Sequence, residues 1–118
     1  MNRMRQENNK TSYVVGKSAD ENWKIILEAE KDYYWVHVSN VPSAHVIIEI
    51  DKPLDDEITY ACQLCKAHTK KIKDCKDSSI EYVVTQVKNI KLGSKPGQVY
   101  FRDISKVSKY WQRYPLNS

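Results

Sequence analysis

Residues 33 to 50 read Y-Y-W-V-H-V-S-N-V-P-S-A-H-V-I-I-E-I, and this stretch decides the fold. Two short runs rich in β-branched and aromatic residues flank S-N-V-P-S, a pattern typical of two antiparallel strands joined by a turn. Because side chains alternate between the two faces of a strand, one face carries the aliphatic residues of a core. The opposite face gathers Trp35, His37 and His45.

The flanking sequence predicts the other elements of an α+β fold. Apolar residues at helical spacing, with acids in the first turn and lysines near the end, predict a long helix over 54–71. A shorter pattern that begins with acids predicts a helix over 20–27. Strands are predicted at 13–15, 33–38, 45–50, 80–85, 98–101 and 107–111. We expect a mostly antiparallel or mixed β-sheet packed against one long and one short helix.

Length and composition predict one compact domain. With 118 residues the chain can bury one core. No apolar run approaches the ~20 residues of a membrane span, and the first ten residues lack the apolar segment of a secretory signal. We therefore expect a cytoplasmic protein, with a flexible basic arm at 1–10 and one domain over 11–118.

Three cysteines, Cys62, Cys65 and Cys75, raise the question of a metal site. The spacing Cys62-x2-Cys65-x2-His68 superficially resembles a zinc set. Within a helix these side chains would point in divergent directions, and Cys65 falls on the apolar stripe, so buried free thiols are favoured. We expect no metal and no cofactor.

Charge is distributed unevenly along the chain. Residues 85–118 hold seven Lys or Arg against Asp103 alone, a net charge of +6, whereas residues 1–84 hold twelve against fourteen acids, a net charge of −2. A basic C-terminal third is typical of proteins that bind polyanions. The sequence therefore favours a nucleic-acid-binding module.

A candidate phosphate-binding segment is T-Q-V-K-N-I-K-L-G-S-K-P-G-Q-V at 85–99. Lys88, Lys91 and Lys95 recur every three or four residues, and Gly97 permits a close backbone approach. Arg102 adds a further cation. The alternative is a connecting loop with solvated lysines.

The aromatic face has three interpretations. Trp35, His37 and His45 could stack on bases and hydrogen-bond to them, as on sheets that bind single-stranded RNA. Alternatively, Trp35 belongs to the core and each histidine satisfies a buried backbone group. The histidines could also act with a lysine as a small nuclease, but no residue in the sequence pattern orients either imidazole. We expect no enzymatic activity.

At these segments the chain resembles the NFACT RNA-binding domain, found in proteins that act on ribosomes with stalled nascent chains. The family pattern is approximately D-x-x-W-F-H-V, P-G-S-H-V, D-Y-T-Q-V-K-N-V and K-P-G-x-V, and its segments occur here in the same order over roughly residues 11–107. The departures include Val36 where the family usually has Phe and Ser43-Ala44 where many members have Gly-Ser. The segment A-C-Q-L-C-K-A-H-T at 61–69 is most similar to the stand-alone eukaryotic version, which carries a coiled-coil tail, and we expect a domain without that tail here. The matching positions are Asp32, Trp35, His37, Pro42, His45, Thr85, Gln86, Lys88, Asn89, Lys95, Pro96 and Gly97.

The resemblance implies a stand-alone RNA-binding module with tRNA or ribosomal RNA as ligand, linked to ribosome-associated nascent-chain quality control. DNA and the ribosome are further candidate partners. A protein-interaction adaptor that docks on a ribosomal or quality-control partner is the alternative function. The predicted nucleic-acid-binding residues are Trp35, His37, His45, Thr85, Gln86, Lys88, Asn89, Lys91, Lys95, Gly97 and Arg102.

Overall fold

A computed structural model describes residues 4–75 and 78–114, apart from the side chains of Ser78 and Tyr114. These residues form one domain of α+β class, as predicted. The strands are β1 Met4–Asn8, β2 Thr11–Gly16, β3 Tyr34–Val38, β4 His45–Ile48, β5 Ser78–Gln86, β6 Ile90–Leu92, β7 Val99–Phe101 and β8 Ser108–Tyr114, and the helices are α1 Ala19–Glu28 and α2 Asp55–Ala67.

Six strands form one sheet in the order β1-β2-β4-β3-β5-β8, and each neighbouring pair is antiparallel. The predicted pairing of the two central strands is confirmed, with Trp35 opposite Ile47 on β4. On its other side Trp35 lies opposite Thr85 of β5. Strands β6 and β7 form a separate antiparallel hairpin.

One face of the sheet packs against α2. Val36, Val46 and Tyr82 project from the strands and meet α2 residues that include Ala61 and Cys65 in one buried cluster. Cys62 is also fully buried there. Cys65 lies on the apolar stripe of the long helix, as its spacing predicted, and both thiols are free and buried, as expected.

The opposite face is also covered. Ile25 of α1 and Ile90 of β6 pack in one cluster with Trp35 and Ile47. Trp35 is 1% exposed and His45 is 2% exposed. This burial supports the interpretation that Trp35 belongs to the core and contradicts the predicted base contacts of Trp35 and His45. The cause is that α1 and the β6–β7 hairpin each have an apolar side that is buried against this face.

The predicted flexible arm contains a strand. Strand β1 pairs along its whole length with β2, and Arg5 forms an ion pair with Glu49. Asn9 and Lys10 have φ angles of 51° and 70°, as expected for a two-residue hairpin turn. The sequence did not reveal this strand because it is polar and lies at a sheet edge. Residues 1–3 of the arm lie outside the described residues.

Two further boundaries differ from prediction. The long helix ends at Ala67 rather than 71, and the Thr69 hydroxyl beyond it donates to the carbonyl of Cys65 at 2.6 Å. The candidate phosphate-binding segment at 85–99 contains a 3₁₀ turn at Val87–Asn89 and then β6, so its G-S-K-P-G stretch is the turn of a hairpin. Among the described residues, no helix is both long and apolar enough to cross a membrane.

Candidate functional site

The fold divides most of the predicted site residues between two clefts, each of about 570 Å³. Trp35 lies buried, whereas Lys91 and Lys95 lie exposed on the β6–β7 hairpin. The basic cleft is lined by Tyr34, Gln86, Lys88, Arg102, Asp103 and Lys106, together with Thr85 and Asn89. The histidine cleft is lined by residues that include Lys17, His37, His45, His68, Lys70 and Gly97.

The floor of the basic cleft is a set of hydrogen bonds that joins Asn89 to Thr85 and to the backbone of Asp103, which we call the clasp. The Asn89 side-chain amide donates to Thr85 Oγ1 at 3.0 Å and to the carbonyl of Asp103 at 3.0 Å. Its Oδ1 accepts from the backbone N–H of Asp103 at 2.9 Å. Asn89 is 6% exposed and Thr85 is 1% exposed. Direct nucleic-acid contact by these two side chains is incompatible with this burial, and they position the segment 102–106 instead.

The clasp sets the positions of two cations at the rim. The N–H of Arg102 donates to the carbonyl of Asn89 at 2.8 Å, and Thr85 Oγ1 donates to the carbonyl of Lys106 at 2.9 Å. The side chains of Arg102 and Lys106 are exposed. Because their backbones are fixed from below, less backbone freedom has to be lost when an anion binds.

The opposite rim is tied to the segment before β3. Gln86 Nε2 donates to the carbonyl of Asp32 at 3.1 Å, and Lys88 Nζ donates to the Asp32 carboxylate at 3.1 Å. Both partners of this ion pair are more than half exposed, so the pair contributes little stability. A phosphate group can therefore replace Asp32 as the partner of Lys88 at small cost.

Asp103 is the other acidic residue at the basic cleft. Its carboxylate accepts from the hydroxyl and the N–H of Ser105, at 2.6 and 3.0 Å, and these hydrogen bonds lower its pKa. The carboxylate is therefore ionised at neutral pH. Lys88, Arg102 and Lys106 still outnumber Asp32 and Asp103, so the basic cleft carries a net positive charge.

In the histidine cleft, Trp35 orders both histidines. Its indole N–H donates to Nδ1 of His45 at 3.1 Å, which assigns the proton of a neutral imidazole to Nε2. The His37 ring stacks on Trp35 with centroids 5.3 Å apart and planes 10° apart. The His37 and His45 rings are nearly perpendicular, with their centroids 4.7 Å apart. Trp35 is thus a buried support for the two rings.

Burial keeps both imidazoles neutral. It lowers the pKa of His37 to about 4 despite a backbone hydrogen bond at Val38, and it lowers the pKa of His45 well below 6.5, with the nearby His37 adding to the shift. At neutral pH the pair can donate and accept hydrogen bonds but carries no charge. The cations of this cleft are Lys17 and Lys70, both exposed.

We predict that the free energy of unfolding falls as the pH is lowered from about 6.5 to about 4. The unfolded chain binds a proton at His37 in this window, whereas the folded protein, with a pKa of about 4, does not. The contribution of neutral His37 to the free energy of unfolding is fully present above pH 6.5. As the pH falls through this window, one such group loses up to about 1.4 kcal/mol per pH unit. Urea denaturation at pH 7, 5.5 and 4.5 measures it.

His37→Phe is the control, because it keeps a ring on Trp35 but cannot bind a proton. We expect a shallower loss of stability with falling pH in this variant. An unchanged pH dependence would show that other groups cause the loss.

The K-P-G turn forms a wall of the histidine cleft. Gly97 has a φ of 87°, and a Cβ placed there would lie 3.2 Å from the Cα and Cβ of Ala19, at the start of α1. The indole N–H of Trp23 donates to the carbonyl of Gln98 at 2.9 Å. The close approach that Gly97 permits is therefore to α1, and not in the first place to a phosphate as predicted.

Sequence reasoning missed several residues that line the clefts, among them three cations. Lys17 and Lys70 lie far from the basic segment in the chain, and each looks like an ordinary surface lysine. Lys106 and Tyr34 line the basic cleft. The charge count had included Lys106 in the basic C-terminal third, which was the available signal for it.

Comparisons with known proteins give partial support to the resemblance seen in the sequence. No protein-family model matches the chain. It is 30% identical over 91 residues to the Rqc2 homolog RqcH of Bacillus subtilis (strain 168), covering 75% of this chain and 15% of that protein. It is 30% identical over 116 residues to the coiled-coil domain-containing protein 25 homolog of Dictyostelium discoideum, covering 84% of this chain and 55% of that protein.

The chain thus spans about half the length, or less, of these relatives. Its fold is similar to that in the structure of the C-terminal of the fibronectin/fibrinogen-binding protein from Streptococcus suis, with a TM-score of 0.79 and 24% identity. That match covers 98% of this chain and 45% of the other. The likeness shows a shared fold, and the sequence similarity to RqcH is a resemblance at the level of the NFACT family.

Proposed function

We propose that this domain binds RNA through the basic cleft. The observation that carries the proposal is the assembly of Lys88, Arg102 and Lys106 around a clasp that holds two of them by their backbones. Exposed cations held in place bind phosphates through charge and the release of counterions.

The histidine cleft would add contacts that do not depend on charge. Neutral His37 can hydrogen-bond to base edges or ribose hydroxyls, whereas the buried His45 only supports its ring, and Lys17 and Lys70 can hold the adjacent backbone. Similarity to RqcH supports a link to ribosome-associated quality control. We therefore propose tRNA or ribosomal RNA as the ligand and the cytoplasm as the location.

The test is fluorescence anisotropy against tRNA, single-stranded RNA and duplex DNA at several salt concentrations. Removing three phosphate contacts by K88A/R102A/K106A should weaken RNA binding and reduce the slope of log affinity against log salt by about two units. The matched control, K10A/K24A/K52A, removes the same charge from exposed positions outside both clefts. Equal losses in the two triple variants would contradict the assignment of the basic cleft.

The adaptor alternative is favoured by exposed apolar side chains. Leu27, Leu54 and Ile104 are each about two-thirds or more exposed. An adaptor would bind a protein partner with an affinity that depends weakly on salt. A parent domain that binds none of the three nucleic acids near physiological salt, but captures a ribosomal protein, would favour it.

The nuclease alternative requires one protonated and one neutral imidazole. The lowered pKa values of His37 and His45 disfavour the protonated form at neutral pH. Turnover of RNA that persists through purification and disappears in His37→Ala would nonetheless establish it.

A further inference from the structure

The edge strand β8 exposes a large aromatic side chain between two cations. Trp111 is 62% exposed, and Lys109 and Arg113 are also exposed. Alternation along a strand places all three side chains on one face of the sheet. None of the three lines the basic cleft or the histidine cleft.

The strand register identifies that face. Tyr110 lies opposite Tyr82 of β5 and packs against the core under α2, so it points to the α2 side. Trp111 lies opposite Glu81 and Lys109 lies opposite Val83, so both point to the other side. This is the face on which His37 lies.

At strand β8 the His37 face of the sheet is uncovered, because α1 and the β6–β7 hairpin cover other strands of that face. Helix α1 packs on β2 and β4, which are separated from β8 by β3 and β5. The β6–β7 hairpin packs over Trp35 through Phe101, with ring centroids 5.7 Å apart. Trp111 therefore stands on a sheet surface beyond both covers.

The same face runs without interruption to the histidine cleft. His37 lies opposite Val83, and Val83 lies opposite Lys109, so the three residues form one row across β3, β5 and β8. With neighbouring strands about 4.8 Å apart, His37 and Lys109 are separated by roughly 10 Å. One extended strand of nucleic acid could contact both ends of the row.

The chemistry of the patch favours single-stranded nucleic acid as its occupant. An apolar protein surface would leave Lys109 and Arg113 unmatched, whereas a polynucleotide offers phosphates to the cations and a base to the indole. The carboxylate of Glu81 lies 4.0 Å from Lys109 Nζ, a loose contact that a phosphate can displace.

We propose that Trp111, flanked by Lys109 and Arg113, is a stacking platform for an unpaired base. This inference rests on the proposed function and gives it a specific consequence. The domain should prefer unpaired strands to duplexes, because a paired base cannot offer its face to the indole.

The test compares Trp111→Ala and Trp111→Phe on a short single-stranded RNA and on a duplex that contains the same strand. Trp111→Ala should lower affinity for the single strand about tenfold, with little change in salt slope or duplex binding. Trp111→Phe should keep most of the parent's affinity for the single strand, because phenylalanine also offers an aromatic ring for stacking. Tryptophan fluorescence of the parent should be quenched by the single strand, and Trp111→Phe should remove that quenching.

The outcomes separate the two proposals. If the parent binds no RNA, the proposed function fails. If the parent binds RNA through Lys88, Arg102 and Lys106 while Trp111→Ala binds the single strand as tightly as the parent, the platform alone is overturned. An equal loss of single-strand and duplex binding in Trp111→Ala would also overturn it. Because Trp111 is exposed, thermal unfolding of both variants should match the parent, so a loss of affinity reports on contact with RNA.

Discussion

Replacing Trp35 by alanine is expected to lower the free energy of unfolding by about 3–5 kcal/mol, among the largest effects of any single substitution in this domain. The indole is 1% exposed and packs between the sheet, α1 and the β6–β7 hairpin. Its removal opens a cavity, leaves Nδ1 of His45 without its donor and takes away the support of the His37 ring. Chemical denaturation monitored by circular dichroism measures the loss.

Trp35→Phe separates packing from hydrogen bonding. It keeps an aromatic ring but cannot donate to His45, so we expect a smaller loss of about 1–3 kcal/mol. The NMR resonances of the His45 ring should change in this variant, because the neutral tautomer is no longer set by the indole N–H. Equal stability of Trp35→Phe and the parent would show that this hydrogen bond contributes nothing to folding.

Replacing Asn89 by alanine should damage both stability and binding. The substitution removes one hydrogen bond to Thr85 of β5 and two to the backbone of Asp103, so the buried Thr85 hydroxyl loses its donor and the Asp103 backbone loses its partner. A cost of about 2–4 kcal/mol follows from this loss. RNA affinity should fall as well, because the segment that carries Arg102 and Lys106 loses its side-chain anchor at Asp103.

Arg102→Ala is the matched comparison for Asn89→Ala. The Arg102 side chain is exposed, so its removal should leave the free energy of unfolding within about 0.5 kcal/mol of the parent while lowering RNA affinity. Denaturation and anisotropy on both variants therefore distinguish a positioning residue from a contact residue. If Asn89→Ala binds RNA as the parent does, the clasp does not govern the basic cleft.

Local residue patterns were sufficient to predict elements whose spacing of apolar residues fits only a strand or only a helix. The alternation over 33–50 predicted β3 and β4, and the apolar spacing over 54–71 predicted α2 with its buried Cys62 and Cys65. Ser18, which precedes the acids of α1, caps that helix by accepting from the N–H of Glu21. Charge counting likewise located the basic C-terminal third before any contact was known.

Exposure could not be predicted in the same way. Alternation places Trp35 and His45 together with His37 on one face, but which of them reaches solvent depends on where α1 and the β6–β7 hairpin lie. These elements come from distant parts of the sequence, and their packing is determined by long-range burial of apolar surface. Trp35 therefore became a support, whereas Trp111, on the uncovered edge of the same face, remained exposed.

The central strand pair, the long helix and the excess of positive charge all follow from local residue patterns. Which of these residues share a site depends on how the distant elements pack. This packing brought Gln86 and Lys88 together with Arg102 and Lys106, and it assigned Thr85 and Asn89 to the interior. The physical reason is that a buried polar group must find a hydrogen-bond partner, and Asn89 finds its partners in Thr85 and Asp103, on segments that only folding brings together.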